Sequence, residues 1–244
     1  MGPKVIVVAD NLAMSTMAAD IVAETLSAHP EAAISLPTGS TPVGLFNELI
    51  ERSKRGALEL TRFHLFCLDE YLGVLADDPN TLTSWLTRTF IGPAGIPLDH
   101  LHTLPVADDY PEAAARRYED TITECGGLEL AVLGIGGNGH IAYNEPGSSA
   151  DSRTRIVHLT PGSMEQAAGY FGGAAVPTMA MTVGIGTLLE ARKIVLIVSG
   201  AAKQDILHAA LKGPLTAEVP ASWLRLAADR VTVIADEAAA VKLG

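Results

Sequence analysis

The sequence predicts an α/β protein with a Rossmann-like fold, in which a mainly parallel open sheet carries helices on both faces. The first observation is that short apolar runs alternate with amphipathic segments along all 244 residues, a pattern typical of parallel strands joined by helices. The second is that several apolar runs end in loops rich in glycine, serine or threonine, where open α/β sheets build ligand sites. Because the alternation has no break, we expect a single domain over residues 1–244.

The predicted elements follow one another without long gaps. Apolar runs of strand length occupy residues 4–9, 33–36, 62–68, 101–104, 128–133, 155–159, 193–199 and 231–235. Helical patterns occupy residues 11–28, 43–55, 81–90, 110–125 and 163–171, and a further helix begins soon after Gly200. Asn11 is expected to cap the first helix. Gly169, Gly172 and Gly173 predict a mobile flap after residue 163.

Composition and charge exclude several classes of protein. The net charge of −11 argues against a surface for nucleic acids or anionic membranes. The sequence has no apolar run of about 18 residues that would predict a membrane span, and it enters its first strand without the pattern of a signal peptide. Cys67 and Cys125 lie far apart without the spacing of metal ligands. We therefore expect buried free thiols, no metal site and a reducing, cytoplasmic location.

The loop after the strand at residues 128–133 carries the strongest chemical signal. Its four glycines are Gly134, Gly136, Gly137 and Gly139. Glycines let the backbone turn sharply and let its N–H groups approach a ligand closely. His140, Asn144 and Glu145 follow, an imidazole, an amide and a carboxylate suited to acid–base chemistry. By itself such a loop also fits an ordinary connection in which the histidine only fills a gap.

A second loop predicts an anion site. Gly39, Ser40 and Thr41 stand between a strand and the start of a helix, where exposed N–H groups and the positive end of the helix attract phosphate. The alternative is a common N-cap, and the loop lacks the lysine of a P-loop. Lys203 lies in a first helical turn, which is unfavourable for a cation, and is therefore a candidate anion ligand.

A third strand end carries two carboxylates. Asp69 and Glu70 directly follow the strand at residues 62–68, which places them at the edge where open α/β sheets bind ligands. The alternative is that Asp69 only caps a helix.

Four motifs together resemble the glucosamine-6-phosphate deaminase family. They are Pro-Thr-Gly-Ser-Thr-Pro at residues 37–42, Leu-Asp-Glu-Tyr at 68–71, Gly-Gly-Asn-Gly-His-Ile-Ala-Tyr-Asn-Glu-Pro at 136–146 and Thr-Val-Gly-Ile-Gly-Thr at 182–187. Their order matches, and the resemblance covers nearly the whole chain. The 6-phosphogluconolactonases, a sister family, share the glycine loops. Their histidine loop usually continues as Ala-Ser-Leu-Phe, so the sequence from Ile141 to Glu145 favours the deaminase branch, as does Tyr71.

The resemblance implies a reaction without a cofactor, in which an aldose 2-amine phosphate becomes a ketose phosphate and ammonia. His140 matches the residue that opens the sugar ring, and Glu145 matches its carboxylate partner. Asp69 matches the base that moves the proton between C2 and C1. Asn138 orients its neighbours by hydrogen bonds. The implied contacts with the sugar phosphate come from Gly39, Ser40, Thr41, Glu70, Gly136, Gly137 and Lys203.

The sequence departs from the family at three positions. Gly169 stands where members generally carry an arginine that holds the phosphate. Asn138 occupies a position that is Asp in some members. Val157 replaces one residue of a basic pair used in allosteric activation, which argues against such regulation here.

Several alternatives stay open at this point. The substrate is expected to be glucosamine 6-phosphate, released in N-acetylglucosamine catabolism; galactosamine 6-phosphate or another amino sugar is an alternative. A lactonase, in which His140 activates water, and a non-catalytic sugar-phosphate sensor are further alternatives. The sequence leaves the oligomeric state open, with a homo-oligomer as one option.

Overall fold

The computed structural model describes residues 2–75, 77–171 and 175–244. Within these ranges the strands are β1 (Lys4–Val8), β2 (Ala33–Leu36), β3 (His64–Cys67), β4 (Asp69–Tyr71), β5 (Leu101–His102), β6 (Leu128–Leu133), β7 (Arg155–His158), β8 (Met179–Thr182), β9 (Lys193–Val198) and β10 (Val231–Asp236). Seven of them form one sheet in the order β1-β10-β9-β6-β2-β3-β5. All neighbours in this sheet are parallel, which confirms the predicted Rossmann-like α/β class.

The helices are α1 (Asn11–Ala28), α2 (Val43–Lys54), α3 (Leu82–Leu86), α4 (Gly92–Ala94), α5 (Pro111–Glu124), α6 (Pro161–Phe171), α7 (Ile185–Leu189), α8 (Gln204–Lys212) and α9 (Glu237–Ala240). A π-helical turn, Thr87–Ile91, joins α3 to α4. Short 3₁₀ helices are found at Leu98–His100, Ala201–Lys203, Pro220–Ala227 and Val241–Leu243. No helix of the described residues has both the length and the apolar character needed to cross a bilayer.

Two hydrophobic cores cover the two faces of the parallel sheet. Successive side chains of a strand point to opposite faces, and β6 shows this division directly. Its Leu130 and Val132 enter the core formed with α1 and α2, whereas Ala131 and Leu133 enter the core formed with α5, α7 and α8. The strand is apolar on both sides because helices cover both faces, as the sequence predicted.

A second sheet was not predicted. Strands β4, β8 and β7 pair antiparallel in that order. Asp69, expected in a loop, begins β4 and pairs with Thr182 of β8. The amide of Val183 also donates to the carbonyl of Leu68 at 2.8 Å. The apolar run at residues 155–159 predicted strand β7, but the three-residue strand β4 and the antiparallel pairing of β4, β8 and β7 leave no local pattern in the sequence. The second sheet fixes the backbone on which Asp69 stands.

Other boundaries differ from the prediction in small ways. Asp10, not Asn11, caps α1, because its carboxylate accepts a hydrogen bond from the amide of Ala13 at 2.8 Å. Cys67 is buried as expected, whereas Cys125 is only partly buried. Gly172 and Gly173 of the predicted flap lie outside the described residues.

Candidate active site

A cavity of about 270 Å³ opens at the carboxyl ends of the central strands, where parallel sheets bind ligands. Seven of the eleven predicted site residues line it, namely Gly39, Ser40, Thr41, Asp69, Gly136, His140 and Lys203. Segments after β2, β3, β6 and β9 contribute these residues. The four predicted residues that do not line it are Glu70, Gly137, Asn138 and Glu145. Two of these four, Asn138 and Glu145, contact the lining residues from behind.

His140 is held by a hydrogen-bonded carboxylate. Its Nδ1 lies 3.4 Å from Oε2 of Glu145 and 3.3 Å from the hydroxyl of Ser163. Asn138 donates from Nδ2 to the same Glu145 oxygen at 2.7 Å, and its Oδ1 accepts the His140 amide at 3.1 Å. Since Nδ1 faces Glu145, Nε2 is the ring nitrogen left for a ligand.

Glu145 is kept ionised although it is buried. Burial opposes the charge, but hydrogen bonds from His140, Ser163 and Asn138 together lower the pKa of Glu145 to about 2. The amide of Thr160 also donates to its Oε1 at 3.2 Å. At neutral pH this carboxylate therefore stabilises a positive charge on the imidazole and does not itself exchange protons.

Two positions of the glycine loop require glycine, one for packing and one for its backbone conformation. A Cβ on Gly136 would lie 2.3 Å from the His140 ring, so only glycine lets the ring occupy its place. The Gly136 amide donates to the carbonyl of His140 at 2.9 Å. The expectation that this amide approaches a ligand is therefore wrong. Gly139 has φ of 89°, a conformation that glycine adopts without strain.

The loop after His140 is fixed to the second sheet. Asn144 is fully buried, and its Nδ2 donates to the carbonyls of Ile141 and Val183 at 2.9 and 2.8 Å. Arg155 in turn donates to Oδ1 of Asn144 at 2.8 Å. Ala142 adopts φ of 48°, a strained value for a non-glycine residue. Asn144 therefore has a structural role, holding the backbone that positions the imidazole.

Asp69 has an environment opposite to that of Glu145. Only 8% of its surface is exposed, and no hydrogen bond from the described residues reaches its carboxylate. Burial, followed by the charge of Glu70, raises the pKa of Asp69 to about 7. A carboxyl group with such a pKa can both take up and release a proton near neutral pH.

Glu70 lies away from the cavity, which corrects its predicted role in substrate binding. Its Oε1 accepts the amides of Tyr71 and Leu82 at 2.8 and 3.0 Å, and its Oε2 accepts the amide of Thr83 at 2.8 Å. The amides of Leu82 and Thr83 belong to the first turn of α3, where a helix offers no acceptor of its own. Glu70 therefore joins the second sheet to the helical segment that covers the cavity, and it raises the pKa of its neighbour Asp69. Gly137 is exposed and also lies outside the cavity lining.

The part of the cavity wall that follows β2, called the anion end below, suits an anion. In the described chain no protein acceptor takes the backbone N–H groups of Gly39, Ser40 and Thr41, which precede α2. Lys203 is half-buried, and burial lowers the pKa of its ammonium group. Its Nζ donates to the carbonyl of Ile135 at 2.8 Å, which fixes the cation in the cavity wall beside the glycine loop.

Sequence reasoning missed several residues of the cavity wall. Arg88 of the π-helical turn lines the cavity and donates from Nη1 to the carbonyl of Pro79 at 2.8 Å. Tyr143 lines it too, and its hydroxyl lies 2.8 Å from that of Tyr71. Ser163 comes from α6. Tyr71 and Tyr143 lie inside the recognised motifs, so the sequence could have predicted them as site residues. Arg88 lies in a segment without any recognised motif.

Comparisons with known proteins identify the family of this chain. The model of the family described as glucosamine-6-phosphate isomerases/6-phosphogluconolactonase matches residues 8–233. Glucosamine-6-phosphate deaminase 2 of Bacillus subtilis (strain 168) is 40% identical over 231 residues, which are 93% of this chain and 92% of the relative. The glucosamine-6-phosphate deaminase of Cellvibrio japonicus (strain Ueda107) is 40% identical over 243 residues, covering 98% of this chain and 91% of the relative.

Solved structures give the same result. A monomeric glucosamine-6-phosphate deaminase has a TM-score of 0.93 at 35% identity, over 98% of this chain and 99% of its own. The 6-phosphogluconolactonase of Trypanosoma cruzi has a TM-score of 0.76 at 22% identity, over 99% and 97% of the two chains; at that identity the likeness concerns the fold alone. This chain belongs to the family of glucosamine-6-phosphate isomerases and 6-phosphogluconolactonases.

Proposed function

We propose that this protein converts glucosamine 6-phosphate and water to fructose 6-phosphate and ammonia, an aldose–ketose isomerisation with deamination. One observation carries the proposal, namely that Asp69 and His140 line the same cavity as the free amides of Gly39, Ser40 and Thr41. A sugar bound by its phosphate at one end would meet a base and an imidazole at the other. The names of the relatives support the same substrate.

Ring opening is the first step, and His140 is placed to perform it. The proton on O1 of the sugar must move to the ring oxygen, which breaks the bond between C1 and that oxygen and leaves an aldehyde. A neutral imidazole can take up that proton on one ring nitrogen and release it again. Nε2 of His140 is the acceptor and then the donor, while the ionised Glu145 stabilises the intermediate imidazolium through Nδ1.

Isomerisation follows, with Asp69 as the base. Its carboxylate takes the proton from C2, and the electron pair of that C–H bond forms the C1–C2 double bond of an enolamine. The π pair of the C1 carbonyl moves to O1, which takes a proton from the ammonium group that the substrate carries on C2. The same carboxyl group returns a proton to C1, which leaves an imine at C2. Water adds to C2, and ammonia departs. A pKa of Asp69 near 7 suits a group that must accept and then donate.

The phosphate would be held without the arginine common in the family. Gly169 of α6 has no side chain for this purpose, but Arg88 and Lys203 both line the cavity. We assign the phosphate to the Gly39–Thr41 loop with these two cations around it, because charge-assisted hydrogen bonds bind phosphate strongly. Local cations are needed, since the whole chain carries a net charge of −11.

We further propose that the reaction belongs to N-acetylglucosamine catabolism in the cytoplasm. The free thiols of Cys67 and Cys125 suit a reducing compartment. One chain supplies every residue assigned above, so a monomer would suffice for catalysis, as in the monomeric deaminase of similar structure.

The test is an assay panel with four amino sugars, glucosamine and galactosamine, each with and without the 6-phosphate. We expect ammonia release from glucosamine 6-phosphate, a much lower kcat/KM for the sugars without phosphate, and release that is slower by about a hundredfold or more with the Asp69→Asn variant. Hydrolysis of 6-phosphogluconolactone is measured in parallel, because the family also contains 6-phosphogluconolactonases. Lactone hydrolysis without any ammonia release would contradict the proposal.

A further inference from the structure

Three potential metal ligands meet outside the cavity, at the opposite end of β3. Nδ1 of His64 lies 3.0 Å from Nε2 of His102. The thiol of Cys125 completes the group, and all three ligand atoms lie within 4.8 Å of one another. They come from three segments, the start of β3, the edge strand β5 and the residue after α5. This explains why their spacing in the sequence predicted no metal site.

We propose that His64, His102 and Cys125 form a binding site for a divalent transition-metal ion, with zinc as the preferred ion. Zinc takes imidazole and thiolate ligands at about 2.0–2.1 and 2.3 Å, so neighbouring ligand atoms of a tetrahedral site lie about 3.4–3.8 Å apart. The observed separations, from 3.0 Å up to 4.8 Å, bracket this range, and small side-chain rotations would bring them into it. A set of two nitrogens and one sulfur suits zinc rather than calcium or magnesium.

The surroundings hold the rings in place. Phe66 stacks on His102 with centroids 4.2 Å apart, and His100 stacks on His64 at 4.8 Å. The hydroxyl of Tyr118 donates to the carbonyl of His102 at 3.2 Å. Such contacts pre-orient metal-binding histidines. All three ligands are partly buried, so an ion can reach them from solvent.

The ligands must be free of their protons to bind a metal ion. Burial, together with the nearby rings of His64 and His100, lowers the pKa of His102, so the ring offers a lone pair at neutral pH. Burial also raises the pKa of the Cys125 thiol, and metal binding must therefore release its proton. The simpler account is a hydrogen bond between two imidazoles beside a free thiol. That account predicts no saturable metal binding.

A metal here would act on the edge of the sheet. β5 has two residues and, among the described strands, pairs only with β3. An ion that joins β3, β5 and the end of α5 would therefore hold a weakly bonded edge strand in place. Asp69 lies five residues after His64, about 16 Å along an extended chain. The site is therefore independent of the proposed deaminase chemistry, and a chelator should leave turnover unchanged.

The experiment uses full-length protein without a histidine tag, freed of metal with a chelator. Zinc ions alone are titrated by calorimetry, and cobalt(II) serves as the spectroscopic probe. We expect one equivalent of zinc, a raised Tm, and a thiolate-to-cobalt charge-transfer band. Cys125→Ser should abolish that band, and both Cys125→Ser and His102→Ala should weaken zinc binding by about tenfold or more. His208→Ala, an exposed histidine of α8, is the matched control and should change nothing.

The proposal fails if no saturable zinc binding is found, or if binding survives unchanged in both ligand variants. Far-UV circular dichroism and the urea midpoint of each metal-free variant establish that it is folded. These readouts do not involve ammonia release, so the result does not depend on the proposed catalytic function.

Discussion

The two ends of the cavity differ in how closely they follow the family. At the acid–base end His140, Glu145 and Asp69 are all present, and the imidazole and Glu145 are connected by hydrogen bonds. At the anion end the arginine common in the family is replaced by Gly169, and Arg88 and Lys203 line the cavity instead. Under the proposed function, the acid–base groups are those expected of the family, whereas Arg88 and Lys203 would hold the phosphate in place of the arginine. Substitutions at the first end should change kcat, and those at the second should change KM.

The largest effect is expected for Asp69→Asn. An amide cannot accept the proton from C2, so kcat should fall by about 10²- to 10⁴-fold, the usual contribution of one positioned proton-transfer group. The phosphate contacts remain, so the affinity for glucosamine 6-phosphate should stay within about threefold, because no charge-assisted bond is lost. Ammonia release gives kcat, and calorimetry with the inactive variant gives the affinity.

Asp229→Asn is the matched control, since Asp229 is exposed and remote from the cavity lining. It should behave as the wild type. If Asp69→Asn turned over as fast as the wild type, Asp69 would not be the base. The expectation that substitutions of the acid–base residues change kcat would then fail.

Arg88→Ala should have the next largest effect, on KM. A charge-assisted hydrogen bond contributes about 1.5–3 kcal/mol when well formed, and Arg88 is exposed, so a rise in KM of about tenfold is expected. The kcat should change less than twofold. Gly169→Arg in the Arg88→Ala background would return the family cation, and nothing lies within 4 Å of a Cβ at this glycine.

Rescue of KM by Gly169→Arg would show that the two arginines serve the same phosphate. A lowered kcat with unchanged KM in Arg88→Ala would instead place Arg88 in the chemistry. The galactosamine 6-phosphate assay run in parallel separates loss of phosphate binding from altered sugar preference.

The sequence predicted the acid–base end better than the anion end, for a physical reason. Asp69 and His140 each follow a buried strand, and parallel strands bring their carboxyl ends together. Arg88 belongs to a π-helical turn whose approach to the cavity depends on tertiary packing, which periodicity does not encode. The antiparallel sheet escaped prediction because it depends on the pairing of β4, β8 and β7, which a local pattern does not encode. His64, His102 and Cys125 meet only through strand pairing and the end of a helix.

The dependence of kcat/KM on pH distinguishes the roles of Asp69 and Glu145. With the pKa of Asp69 at about 7, its ionised fraction falls as the pH drops below 7. We expect kcat/KM to fall about tenfold per pH unit below that value, because the base must be ionised. The pKa of Glu145, at about 2, keeps that carboxylate charged over the same range. A profile that stays flat down to pH 5 would show that Asp69 is not the base.

The smallest expected effect is on stability, and it has opposite signs for the two carboxylates. In the folded state Asp69 binds its proton up to about pH 7, whereas in the unfolded state it loses it near pH 4. The folded state therefore holds more protons between these values, and wild-type stability falls as the pH rises from 4 to 7. Asp69→Asn removes this cost and should raise the free energy of unfolding by about 1 kcal/mol or more at pH 8, with little gain below pH 4.

Glu145→Gln removes a carboxylate with a lowered pKa, whose stabilisation is present above pH 4.5 and is lost only as the pH falls towards 2. That variant should be less stable at pH 8. Urea unfolding of both variants at pH 5 and pH 8 measures the two differences. If both variants were more stable than the wild type at pH 8, the hydrogen bonds around Glu145 would not offset the cost of its burial. The two carboxylates would then not differ in their effect on stability.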